Sequence, residues 1–249
     1  MLGAIKTANA SDSRLRFGLL RRFGRLVLPR YRFKWPQIGW WDNAAFTDYL
    51  DRFDETLGMN TDRRWMLYQL MRLIENIPGD TAECGVYTGA GSYLMCKMNQ
   101  RNVSQSRTHF IFDSFEGLSA PSTVDGDYWT KGDLECSMDV VGANLAEFEN
   151  TRLLKGWIPD RFFDVEDRKF AFVHIDVDLY QPTLDSVDFF YSRTNAGGII
   201  LCDDYGFTSC PGATKAMDEF LADKPEKMIA LSCGGGFFVK ACSTADKLF

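Results

Sequence analysis

Apolar positions along this chain follow two alternating periods. Between residues 62 and 76, Trp65, Met66, Leu70, Leu73 and Ile74 recur every three or four positions, the stripe of an amphipathic helix. Thr61 or Asp62 is placed to cap it, and Pro78-Gly79 to end it. Short apolar runs then predict strands over 81–86, 108–113, 151–155, 170–176, 197–203, 226–232 and 236–242. Helices are predicted between them, over 90–99, 135–149, 182–193 and 211–222. The runs 170–175 and 198–202 are apolar almost throughout, which marks strands buried on both faces of a parallel sheet. The expected class is α/β: a doubly wound, mostly parallel seven-stranded sheet covered on both faces by helices. Only 232–235 separates the last two runs, too short for a crossover, so they predict an antiparallel hairpin at the sheet edge. The polar stretch from Ser114 to Leu134 has no period, and loops of that length are usually lids or binding segments. The expected organisation is one α/β domain over 61–249 behind an extension over 1–60 that carries Trp35, Trp40 and Trp41.

Composition changes this picture mainly through charge. With 249 residues, 25% charged and 45% hydrophobic, the chain has the make-up of an ordinary globular protein, and its net charge of −6 argues against general nucleic-acid affinity. The charge is uneven. Residues 1–40 hold nine basic side chains against Asp12 alone, so a basic arm of +8 precedes a body of −14. Phe17, Leu19, Leu20, Phe23, Leu26, Val27 and Leu28 make that arm amphipathic. It is expected to pack on the acidic body, its own or that of a neighbouring subunit in a homo-oligomer; peripheral contact with an anionic membrane is the less favoured alternative. No secretory signal or membrane-spanning run is read, and seven scattered cysteines without a C-x-x-C pair fit a reducing, cytoplasmic setting rather than disulfides or zinc.

The candidate chemistry sits at strand ends. H-I-D-V-D-L-Y at 174–180 and C-D-D-Y-G at 202–206 each close an apolar run, so Asp176, Asp178, Asp203 and Asp204 should converge at one edge of the sheet. With no Lys or Arg near them in sequence, such carboxylates suit a hard divalent cation, most plausibly Mg²⁺. Which of Asp176 and Asp178 is a ligand and which a base is left open. His174 shares a face with Asp176 and either assists proton transfer or is a hydrogen-bonded core residue. Tyr180, Tyr205 and Trp157 either pack or offer a platform to a substrate, and Lys155 ends the third strand at the expected pocket wall. Upstream, E-C-G-V-Y-T-G-A-G-S-Y joins the first strand to the next helix. Its glycines allow close approach of a ligand, yet it matches neither a G-x-x-x-x-G-K-[ST] phosphate loop nor G-x-G-x-x-G. Asp113 ends the second strand, where an acidic residue accepts hydrogen bonds from ribose hydroxyls; Glu116 is a second candidate.

In series, I-P-G-D-T-A-E-C-G-V-Y-T-G at 77–89, F-D-S-F-E-G-L at 112–118, K-G-W at 155–157, H-I-D-V-D-L-Y-Q-P-T at 174–183, G-G-I-I-L-C-D-D-Y-G at 197–206 and P-G-A-T-K-A-M-D-E-F at 211–220 resemble the macrocin O-methyltransferase (TylF-type) family of S-adenosylmethionine- and metal-dependent enzymes. The resemblance covers about 60–242. It implies a class I methyltransferase-like Rossmann fold and, as cofactors, S-adenosyl-L-methionine and Mg²⁺. It implies a cofactor site of Glu83, Gly85, Val86, Tyr87, Gly89, Ser92, Asp113, Ser114 and Phe115. Glu83, Gly85 and Gly89 would line the methionine and ribose, Asp113 would hold the ribose hydroxyls, and Ser114 and Phe115 would lie near the adenine. By the same analogy Asp176, Asp203 and Asp204 are metal ligands, and Asp178 is a fourth ligand or the general base. The implied acceptor is a sugar or glycoside hydroxyl in a natural product or polysaccharide. A non-catalytic cofactor-binding module docked through the basic arm is the alternative, and the intact acidic cluster speaks against it. A metal-dependent hydrolase is a third reading, but it leaves the glycine turn unexplained.

Overall fold

The structure is a computed structural model that describes residues 19, 22–24, 26–27, 43–55, 60–101 and 106–242. The chain divides into two compact units, 1–49 and 50–249. Most of the basic arm, with Trp35, Trp40 and Trp41, lies outside the described residues.

Helix α1, Ala44–Arg52, starts where the Asn43 side chain accepts the amide of Phe46, an N-cap interaction that satisfies an otherwise unpaired donor. Helix α2, Asn60–Leu73, follows, with Leu67, Leu70 and Met71 on its buried side. The sheet is then built in alternation: β1 Asp80–Cys84, α3 Ala90–Arg101, β2 His109–Asp113, α4 Met138–Asn144, β3 Thr151–Lys155, β4 Phe170–Ile175, α5 Tyr180–Tyr191, β5 Thr194–Cys202, α6 Pro211–Leu221, β6 Ile229–Ala230 and β7 Gly236–Val239. The strands lie in the order β3-β2-β1-β4-β5-β7-β6. The first five are parallel, and β7 runs antiparallel to both β5 and β6.

This is the seven-stranded sheet with a terminal hairpin that the periodicity predicts. All six residues of β4 are buried, so the strand that reads as continuously apolar is the centre of the core. Phe112, Phe162, Phe170 and Phe190 meet edge to face on one side of it. Three elements are markedly shorter than expected, β7 keeping only Gly236–Val239 of 236–242. Helix α4 covers only 138–144 of the expected 135–149. Strand β6 keeps two residues of the expected seven: before it, the buried Glu226 carboxylate accepts the Tyr191 hydroxyl at 2.6 Å and the Ala241 amide at 2.9 Å, which ties that stretch to side chains instead of a ladder. A two-residue edge strand also offers little template for unwanted pairing.

Candidate active site

Parallel register lines up the strand ends. Cys84 pairs with Phe112 on one side and Ile175 on the other, and Ile175 pairs with Cys202. The residues that follow, Asp113, Gly85, Asp176 and Asp203, therefore stand in a row along the carboxyl edge. Amides continue the ladder one step further: Gly85 to Phe112 O at 2.9 Å, Asp176 to Cys84 O at 2.8 Å and Asp203 to Ile175 O at 2.8 Å. A cavity of about 770 Å³ opens along this edge. It spans the β1/β4 boundary, the point where strand order reverses and where ligands bind in doubly wound sheets.

On the β1/β2 side, Gly85 has φ +80°, and a Cβ there would collide with the Asp176 carbonyl oxygen. Only glycine lets the two strand ends approach so closely. Asp113 accepts the amide of Val86 at 2.8 Å on Oδ2 and that of Phe115 at 2.6 Å on Oδ1, stitching two loops together. Burial raises its carboxyl, and the Phe115 and Val86 amides pull it back. Gly85, Val86, Tyr87, Asp113 and Ser114 form the cavity wall. The other expected cofactor residues stand behind it. Glu83 is 2% exposed, accepts the Ser92 hydroxyl and lies 2.7 Å from His174 Nδ1. A Cβ added at Gly89 would lie 3.6 Å from Val141, and Phe115 is buried.

On the β4/β5 side, Asp176, Asp178 and Asp204 line the cavity. The strand stops at Ile175, Val177 turns into the core, and Asp178 adopts φ +59° with its amide donated to Asp204 Oδ2 at 2.8 Å. Asp176 thus reaches the cavity from the strand end and Asp178 from the turn that follows it. The donor atoms gather in two groups, each within 4.8 Å: His174, Asp176 and Asp203, and Asp178, Asp204 and Cys210. The acidic residues are thus brought together, but not as a single triad of Asp176, Asp203 and Asp204.

The expectation of no nearby basic residue is corrected by the fold. Helix α2 delivers Arg63, whose Nη1 lies 2.8 Å from Asp203 Oδ2, and Arg64, whose Nη1 is 3.7 Å from the same oxygen and 3.9 Å from Asp176 Oδ2. His174 is fully buried between Glu83 and Asp203, with Nε2 3.5 Å from Asp203 Oδ1. Burial opposes its charge, but hydrogen bonding and attraction to Asp203 and Glu83 raise it to about 10. It stands behind Asp203, with no aligned hydrogen bond from Nε2, and does not line the cavity. Burial also works against an ionised Asp203, yet Arg63, His174 and Arg64 hold it well below the usual range. At the other three carboxyls burial and like charge outweigh such compensation. Burial and the Asp203 charge push Asp176 up to about 7; burial lifts Asp178 to about 6 and, with its three acidic neighbours, Asp204 well above its usual value.

The four carboxylates supply oxygen donors of the kind a hard divalent cation takes, although the two groups also hold His174 and Cys210. Asp203 Oδ2 adds an orphaned buried oxygen, since its ion pair to Arg63 has no aligned hydrogen bond. Of the other candidates, Trp157 lines the cavity; Tyr180 donates to Glu219 at 2.7 Å, Tyr205 to Asp218 at 2.8 Å, and Lys155 faces Glu116 at 3.5 Å.

The expected lid is anchored at both ends of the cavity. Leu118 and Gly132 hydrogen-bond across its neck, Leu118 N to Asp133 O at 2.8 Å and Gly132 N to Leu118 O at 2.9 Å. Asp125, 3% exposed, accepts the Ser122 amide at 2.8 Å and the Tyr180 amide at 2.6 Å, capping α5 from outside its own chain segment. Trp129 Nε1 donates to Cys210 Sγ at 3.3 Å, and Cys210 Sγ to Asp178 Oδ1 at 3.4 Å. Periodicity gave no signal for Arg63, Asp125 or Cys210, because each meets the site only through tertiary contact.

The sheet order, the terminal hairpin and a cleft across β1 and β4 define an α/β fold of the methyltransferase class. The chain belongs to the macrocin-O-methyltransferase (TylF) family, whose model matches residues 57–235. It is 29% identical over 180 residues to demethyldecarbamoylnovobiocin O-methyltransferase of Streptomyces niveus, covering 66% of each chain. Over 152 residues it is 28% identical to the 8-demethyl-8-(2,3-dimethoxy-alpha-L-rhamnosyl)-tetracenomycin-C 4'-O-methyltransferase of Streptomyces olivaceus, 57% of this chain and 58% of that one. The chain thus spans two thirds or less of the length of these relatives. Among solved structures, the O-methyltransferase NovP superposes with a TM-score of 0.63 at 25% identity, covering 74% of this chain and 81% of that one. Among the described residues, no helix is long and apolar enough to cross a membrane.

Proposed function

We propose that this protein is an S-adenosylmethionine-dependent, Mg²⁺-dependent O-methyltransferase acting on a sugar hydroxyl of a natural product. One observation carries the reading: a glycine-turn wall with Asp113 and a cluster of four carboxylates flank one cavity at the carboxyl edge of a methyltransferase-type sheet. The family, and a relative named as the 4'-O-methyltransferase of a rhamnosyl-tetracenomycin C, support the sugar as acceptor. Seven free cysteines agree with a cytoplasmic setting.

A bound cofactor would supply an electrophilic methyl group; Asp176 and Asp203, with Asp204 from the adjoining group, would hold a divalent cation, which would supply Lewis acidity toward the acceptor oxygen. The chain's own residues do the rest. Asp113, its carboxylate already fixed by two amides, has lone pairs left for the ribose hydroxyls. Gly85, Val86 and Tyr87 let the backbone approach the cofactor. Asp178, raised to about 6 by burial, is matched to receive the hydroxyl proton as the oxygen–methyl bond forms and the carbon–sulfur bond breaks. Trp157 and Tyr128, in the cavity wall, present aromatic faces to a sugar. The lid excludes water while held by Asp125 and Trp129.

Calorimetric titration of S-adenosylmethionine into metal-stripped protein, repeated with Asp113→Ala, tests the cofactor half. Saturable binding that the substitution weakens at least tenfold is expected. A folded wild-type protein that binds no S-adenosylmethionine would end the methyltransferase reading.

A further inference from the structure

Helix α2 brings to the acidic edge something that methyl transfer does not require. Arg63 Nη1 lies 2.8 Å from Asp203 Oδ2 and donates to the Asp203 carbonyl at 3.4 Å. Its Nη2 donates to Asn60 Oδ1 at 2.7 Å, and its guanidinium stands 5.1 Å from the centre of the Phe207 ring. Arg64 approaches the same Asp203 oxygen and Asp176 from 3.7 and 3.9 Å, while its other nitrogen lies 3.5 Å from Glu55. The carboxylates assigned above to a divalent cation are therefore already served by a cation from the chain. Oxygen donors bind Mg²⁺ at about 2.1 Å, so a guanidinium nitrogen and the ion cannot share one oxygen without strong repulsion between like charges.

We infer that Arg63 is the resident counter-cation of the metal-free enzyme: it neutralises Asp203, competes with the divalent cation for it, and withdraws from that oxygen when the ion enters. The inference rests on the reading of Asp176, Asp203 and Asp204 as ligands. The surroundings of Arg63 suit this exchange. Its side chain is 15% exposed at the cavity wall, so it has somewhere to go. Asn60 and Phe207 are partners it keeps after leaving the carboxylate. Asp203 in turn keeps His174 on its other oxygen, so it stays oriented as Arg63 departs. The arginine thereby sets the metal affinity and keeps a buried carboxylate from standing unpaired in the empty site.

Direct titration calorimetry of Mg²⁺ and Mn²⁺ into the chelator-stripped full-length protein tests this on wild type, Arg63→Gln and Arg63→Lys. Arg63→Gln is expected to bind about tenfold or more tightly than wild type, and Arg63→Lys to stay within about threefold of it. The rise in Tm on adding Mg²⁺ is expected to be larger in Arg63→Gln, whose metal-free form leaves Asp203 short of a partner. Should that variant fold poorly, Arg63→Met removes the same charge while keeping an apolar stem beside Phe207, and the same gain of about tenfold is expected. Equal or weaker binding by Arg63→Gln, with normal binding by wild type, overturns the inference and leaves the metal site standing. If neither protein binds either ion, the metal reading fails and takes the inference with it.

Discussion

The two halves of the cavity are built on opposite principles. At the β1/β2 end Asp113 has an amide on each oxygen. At the β4/β5 end four carboxylates crowd together, and only Asp203 is held ionised by neighbouring cations. The first half is a finished surface shaped for a ligand with hydroxyls; the second is a charge deficit that becomes stable only with a cation. Buried like charges are expensive, and a chain keeps them where a reaction uses them.

The widest gap between the halves should appear in turnover. Asp178→Asn removes the proton acceptor and is expected to lower kcat by roughly 10²–10⁴-fold while S-adenosylmethionine affinity stays within about threefold. Steady-state kinetics beside calorimetry measures both; a kcat near that of wild type would assign the proton to another group. Chelation should likewise abolish turnover and leave cofactor binding in place.

Much of this division is legible in the sequence, and the reason is geometric. Strand ends in a parallel sheet are set by apolar runs, so Asp113, Asp176 and Asp204 could be placed on one edge from their positions alone. What could not be read arrives from elsewhere in the chain. Arg63 comes from a helix 140 positions before its partner Asp203, and Glu83 and Ser92 carry motif residues whose side chains turn away from the cavity into a buried pair. The motif locates the turn; only packing decides which of its side chains face the ligand.

A second difference lies beneath the surface, where one buried histidine stands behind each half. His109 lies 2.8 Å from Thr81 and 2.9 Å from Ser92, and burial pushes it down to about 4, so it is neutral; His174 is charged. Because the folded value for His109 lies below that of the unfolded chain, its contribution is complete above about pH 6.5 and is lost as pH falls toward 4. His174 has the opposite sign, its contribution being present below about 6.5 and lost as pH rises through about 10. Urea unfolding at pH 7.5 and 4.5 should therefore cost wild type about 2–3 kcal/mol more than His109→Gln. Parallel losses in the two proteins would mean that His109 carries charge in the fold.

Gly85 is where the halves touch, and Gly85→Ala forces a Cβ against the Asp176 carbonyl at a positive φ. A loss of roughly 2 kcal/mol in unfolding free energy is expected, with cofactor and metal affinity falling together because one shift displaces both walls. Loss of cofactor affinity alone would show that the acidic half is held independently of the turn.

The smallest expected effect concerns the strap that spans both halves. Its neck lies beside the β2 end, and Asp125 ties its far side to the first turn of α5, two residues after Asp178. Gly212 makes room for that tie, since a Cβ there would collide with Asp125 Oδ1. Asp125→Ala removes a cap to the Tyr180 and Ser122 amides, a loss of about 1 kcal/mol in stability. Because the tie fixes the strap over the acceptor and not the reacting carboxylates, KM for the acceptor should rise several-fold with kcat little changed and cofactor affinity intact. A fall in kcat at constant KM would instead place Asp125 among the groups that orient Asp178, and the strap would then belong to the acidic half alone.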